Sequence, residues 1–115
     1  MVKIGTTEEN LKAAAAGEHE EWTSMYPEFA KVAREEGFTR IANLFEMVAK
    51  IEQEHDARYN LLLANIQEDK VFKRNEKMIW MCSNCGHVYE GTEAPEICPV
   101  CAHPKAFFEI KANNY

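Results

Sequence analysis

Four cysteines, Cys82, Cys85, Cys98 and Cys101, form two Cys-x-x-Cys pairs separated by twelve residues, and nothing else in the chain restricts its folding so tightly. Each such loop turns two sulfurs toward one point while its backbone N–H groups face back at them. Two loops together complete a tetrahedral four-thiolate site for iron or zinc. Gly86 after the first pair and Pro99 inside the second suit tight turns. Without a metal, a segment of about 35 residues built around four free thiols would have almost no core. Trp80, Tyr89, Phe107 and Phe108 are expected to form an aromatic shell around the ion, and His87 and His103 to lie at the surface. A structural zinc ribbon remains open as an alternative to an electron-transfer iron site.

A second pattern precedes the cysteines. Ile41, Leu44, Phe45, Val48, Ile51, Tyr59, Leu62 and Ile66 recur at steps of three and four, which predicts one buried face of a helix running from near Thr39 to about Ile66. Glu52 and His55 fall inside that face. A carboxylate removed from water without a partner is so unfavourable that a metal ligand is the physical alternative to a surface pair, and residues three apart on a helix can reach one ion. An earlier helix is expected from the capping box Thr6-Thr7-Glu8-Glu9 to Glu36, with Gly37 as its left-handed cap and Pro27 kinking it. Its apolar line through Leu11, Ala14, Met25 and Phe29 also contains Glu18 and Glu21, repeating the anomaly of the other helix.

The short connection at Gly37 predicts an antiparallel hairpin. Two amphipathic helices share one seam and leave their outer apolar faces uncovered, so the hairpin is read as half of a bundle. Residues 67–77 are charged, with no Gly or Pro, and are expected to be a linker, partly extended around Val71 and Phe72. A net charge of -6 argues against nucleic acid or an anionic membrane as partner. No apolar run approaches the ~20 residues of a membrane span, no signal-peptide pattern opens the chain, and paired cysteines without an export signal point to metal thiolates in the cytoplasm.

These residues resemble the C-terminal part of a rubrerythrin. The resemblance rests on Ala16-Gly17-Glu18-His19-Glu20-Glu21-Trp22, Met25-Tyr26-Pro27, Glu52-x-x-His55, the cysteine pairs and Ala102-His103-Pro104-Lys105-Ala106, covering residues 5–115. It implies an α plus small metal-bound β fold: residues 1–66 as a helical hairpin forming half of a ferritin-like four-helix bundle, the linker 67–77, and a rubredoxin-like four-cysteine domain over 78–115. It further implies that Glu18, Glu21, Glu52 and His55 are ligands of a non-haem di-iron centre, that Tyr26 is a hydrogen-bonding neighbour of that centre, and that Cys82, Cys85, Cys98 and Cys101 bind a mononuclear iron, with zinc as a possible substitute. In that family the chain opens with a further helix pair carrying another Glu and a second Glu-x-x-His. The bundle is therefore expected to be completed by a complementary N-terminal helix pair or by a second copy of this chain.

The resemblance implies a peroxidase that reduces hydrogen peroxide to water at the di-iron centre, fed through the four-cysteine iron by a donor reductase or rubredoxin. Two other readings stand beside it: an electron-transfer or iron-binding module whose half-bundle serves only to dimerise, and a zinc-ribbon adaptor.

Overall fold

The computed structural model describes residues 3–115. They form two compact units, one ending at Ala64 and the other spanning Asn65–Tyr115.

The first unit begins with helix α1, Thr7–Glu20. Its start follows from local chemistry: the Thr6 side chain accepts from the Glu9 N–H at 3.2 Å, and the Glu9 carboxylate accepts from the Thr6 N–H at 2.8 Å. The helix does not break at Pro27. Glu21–Met25 forms one π-helical turn, and helix α2, Tyr26–Glu35, continues from it. Proline has no N–H for the carbonyl four residues back, and the chain accommodates this one residue earlier, where the Tyr26 N–H bonds to the Glu21 carbonyl five residues back. The expected kink is thus realised as a π-turn. Gly37, at φ 86°, reverses the chain into helix α3, Thr39–Gln67.

Cross-contacts pair His19 with Asp56, Tyr26 with Phe45 and Arg34 with Glu46, so the helices run antiparallel as expected. Ala15, Ala30, Ala33 and Ala42 are buried and let the backbones approach. The larger apolar residues are not enclosed: Phe29, Ile41, Leu44, Ile51 and Leu62 are exposed. The buried face expected from their periodicity is therefore an open face within this chain, because two helices can cover only the stripe between them.

The second unit is a three-stranded antiparallel sheet in the order β2-β1-β3, with β1 at Lys73–Cys82, β2 at Val88–Glu93 and β3 at Phe108–Ile110. Lys73–Lys77, expected as linker, is the first half of β1. This half is charged and lacks the period-two pattern that would mark a strand. It also pairs irregularly, five steps from Lys73 to Met78 matching two steps from Glu93 to Gly91. The core consists of Trp80, Cys82, Ala94, Cys98 and Phe108, with Phe72, Met78, Cys101 and Ile110 packed against it. Trp80 is wholly buried and its indole N–H donates to the Gly91 carbonyl. Of the four aromatics expected around the cysteines, Trp80 and Phe108 fill that role, whereas Tyr89 and Phe107 are exposed. Among the described residues no helix is long and apolar enough to cross a membrane.

Candidate metal centres

The two cysteine loops are built alike. In the first, the Cys82 N–H donates to the His87 carbonyl and the Gly86 N–H to the Cys82 carbonyl; in the second, Cys98 donates to His103 and Ala102 to Cys98. Both loops turn through a left-handed residue, Gly86 at φ 85° and Ala102 at φ 63°. The backbone N–H of His87 faces Cys85 Sγ at 3.4 Å, and that of His103 bonds Cys101. The two histidines, expected only as surface residues, thus contribute through their backbone, which side-chain chemistry could not reveal.

All four sulfurs lie within 4.8 Å of one another. Cys82 and Cys101 are 3.7 Å apart and Cys85 and Cys98 3.6 Å apart. A tetrahedron of sulfurs around an ion at about 2.3 Å has edges of about 3.8 Å, so the donor set fits one thiolate-bound metal. The electrostatics agree. The His103 amide, together with hydrogen bonds from Asn84, Cys98 and Cys85, lowers the Cys101 thiol to about 5. The His87 amide favours the Cys85 thiolate, but desolvation and hydrogen bonding with Cys101, Cys98 and Cys82 outweigh it and push Cys85 up to about 12. Thiols so close together do not all ionise unless a cation joins them. Cys82 and Cys98 are buried, Cys101 is half-buried and Cys85 is exposed, so one edge of the cluster faces solvent.

On the helix pair, the structure brings Glu18, Glu52 and His55 together, their ligand atoms within 4.8 Å of one another. Glu18 comes from α1, Glu52 and His55 from successive turns of α3. His55 Nδ1 is 2.8 Å from Glu52 Oε2 and 3.7 Å from Glu18 Oε1. The hydrogen bond with Glu52, burial, and the charges of Glu52 and Glu21 raise Glu18 to about 7, against the opposing effect of His55. Glu52 is held below its ordinary value by that same bond and by His55. One proton is shared between two carboxylates where like charges meet. Glu18 Oε2 is buried without a hydrogen-bond partner, an orphaned acceptor that a cation would satisfy. Two hard carboxylates together with a borderline imidazole suit iron or a similar ion.

Glu21 stands outside the three-residue cluster, although Glu18 feels its charge. Glu21 keeps its α-helical place relative to Glu18, its N–H bonding to the Gly17 carbonyl, and the π-turn that begins there changes the phase only of the residues that follow. Tyr26 packs its ring against Phe29 and Phe45, with centroids 5.9 and 6.0 Å away. Sequence reasoning missed Asp56, a buried carboxylate beside His55 that binds His19, Trp22 and Asn60. It sits off the apolar stripe, and only its partners across the hairpin mark it.

A family model described as rubrerythrin matches residues 1–63, and one for the rubredoxin-like domain of rubrerythrin matches residues 80–109. The chain belongs to the rubrerythrin family. It is similar to rubrerythrin-1 of Clostridium acetobutylicum, 53% identical over 97% of this chain and 57% of that protein. It is also similar to the rubrerythrin of Porphyromonas gingivalis, 54% identical over 97% of this chain and 56% of that one. A structure of nigerythrin in a partially reduced state superposes with a TM-score of 0.55 at 29% identity, covering 96% of this chain and 52% of that chain. This rubrerythrin-family chain therefore spans about half the length of the relatives it matches. Its helical hairpin with a small antiparallel sheet and four clustered cysteines is the architecture expected for the C-terminal part of that family, the cysteines forming a rubredoxin-like iron site.

Proposed function

We propose that this chain is part of a rubrerythrin-type non-haem iron peroxidase, which reduces hydrogen peroxide to water at a di-iron carboxylate centre and receives electrons through iron bound by Cys82, Cys85, Cys98 and Cys101. The observation that carries the reading is the convergence of Glu18, Glu52 and His55 around an orphaned buried oxygen, in one chain with a four-sulfur cluster. Glu21 is proposed as a further ligand and Tyr26 as a hydroxyl neighbour of the centre. Iron held by these carboxylates would supply the two electrons that, with two protons, convert hydrogen peroxide into two waters.

The chain's own residues set the conditions for that chemistry. Glu18 and Glu52, whose like charges meet at the cluster, would bind iron in place of the proton they otherwise compete for. Carboxylates, being hard and negative, stabilise iron without burying net charge. Cys85, the exposed one of the four cysteines, marks the side from which a donor reductase or rubredoxin would approach the iron, with the cytoplasm as the compartment. A di-iron site of the ferritin type takes about four Glu and two His. Two copies of this hairpin would bring six Glu and two His, and a complementary N-terminal helix pair would complete the bundle equally well.

Because Glu21 lies outside the three-residue cluster, a second reading is an electron-transfer or iron-binding module whose hairpin serves to dimerise. Peroxide consumption by the iron-loaded, reduced protein separates the two. Glu52→Ala and His55→Ala should abolish turnover and leave the red four-thiolate absorption unchanged. A fully iron-loaded wild type that consumes no peroxide would leave only the second reading, and a colourless zinc-bound chain would leave the zinc ribbon.

A further inference from the structure

Asp56 is the only buried charged side chain among the described residues, at 8% exposure, and it belongs to neither cluster of metal-ligand atoms. A buried carboxylate is tolerated only where donors replace its water. Three do so here: Trp22 Nε1 donates to Oδ2 at 2.7 Å, His19 Nδ1 lies 3.0 Å from the same oxygen, and Asn60 Nδ2 donates to Oδ1 at 2.7 Å. His19 closes α1 and Trp22 lies in the π-turn, while Asp56 and Asn60 belong to α3. The carboxylate is therefore a tie across the hairpin.

The position of the tie in the sequence gives it a consequence for the site. His19 follows Glu18, Trp22 follows Glu21, and Asp56 follows His55. One residue is a rotation of about 100°, so the tie and the candidate ligands occupy neighbouring faces of the same turns. Sliding α3 by one turn, about 5.4 Å, would break both cross-helix bonds to Asp56 and carry Glu52 and His55 equally far from Glu18. The register that bonds Asp56 is the register that assembles the cluster. Toward the Gly37 turn, the Phe45 ring, packed on Tyr26 and Phe29 with centroids 6.0 and 5.5 Å away, and the Arg34–Asn43 bond also fix the register. Beside the cluster it is the Asp56 bonds that do so. The buried contacts are alanines, which slide past one another readily, and the Arg34–Glu46 ion pair near the Gly37 turn is exposed on both sides.

We infer that Asp56, bonded by Trp22 and His19, is a positioning group that holds the two helices in the one register where Glu18, Glu52 and His55 converge, and so sets the metal affinity of that cluster without touching the ion. The inference rests on the metal reading proposed above and adds to it a residue outside the ligand set.

The test uses the full chain with one equivalent of zinc on the thiolates, titrated with cobalt(II) alone and followed by calorimetry and by the weak visible bands of nitrogen- and oxygen-bound cobalt. Asp56→Asn keeps the shape but turns an amide toward donors, and Trp22→Phe keeps the bulk but removes one donor. Both should weaken cobalt binding by about 10- to 100-fold, the usual effect of losing a group that orients ligands, at a temperature where circular dichroism shows full helix. His19→Gln, which retains an N–H donor, should stay close to wild type. Should Asp56→Asn fail to fold, Trp22→Phe decides. Lower melting temperatures with wild-type cobalt affinity in the folded variants would overturn the inference and leave the metal reading intact. If wild type binds cobalt no better than Glu52→Ala, both are overturned.

Discussion

Ala102 occupies a left-handed conformation in the second cysteine loop, at φ 63°, where the matching position of the first loop is Gly86. A Cβ in that region costs about 1–2 kcal/mol, partly offset by the flexibility glycine adds to the unfolded chain. Ala102→Gly should therefore stabilise the sheet unit by about 0.5–1 kcal/mol, read as a higher denaturant midpoint with the metal bound. Gly86→Ala should do the reverse, since open space surrounds a Cβ there and only the backbone angle resists it. Equal midpoints for all three proteins would refute the argument from φ. The same scale explains why the cysteines were so informative: their spacing alone dictates two loops, and the loops dictate where four sulfurs meet.

At the scale of the helices, the hairpin has a narrow interior of alanines and Asp56, and a broad exposed face that includes Phe38, Ile41, Leu44, Met47 and Ile51. An apolar strip of that extent exceeds what a soluble monomer ordinarily leaves in water. The chain should therefore associate, and light scattering should give a mass of at least twice its 13.2 kDa. Ile41→Glu combined with Leu44→Glu should shift it toward the monomer. A monodisperse, fully helical wild-type monomer would contradict this account. Helix ends and the turn at Gly37 were legible in the sequence because caps are local chemistry. The π-turn was not, because Pro27 states only that a hydrogen bond is missing and not how the backbone absorbs the loss.

Across the whole molecule, the two units draw stability from different sources. The hairpin relies on helix contacts. The Asn65–Tyr115 unit has only five buried core residues, two of them cysteines. A structural metal in so small a unit contributes on the order of 10 kcal/mol or more. Stripping the thiolate metal should therefore unfold that unit, seen as loss of the dispersed Trp80 indole N–H signal, while helical ellipticity from the hairpin stays near its starting value. Simultaneous loss of both would mean that the units fold as one.

The sequence by itself determined the local and periodic features: the capping box, the glycine reversal, the helix extents, the cysteine loops, and the anomalous Glu18, Glu52 and His55 on apolar faces. Each of these is set by neighbours within a few residues, or by a spacing that repeats. Only the tertiary structure decided that Glu18 meets Glu52 and His55 while Glu21 stands aside, and that Lys73–Lys77 pairs as strand. It also decided that Asp56 is buried by partners on the other helix. Those outcomes depend on the register between segments more than thirty residues apart, or between strands joined by a turn, and no local pattern encodes it.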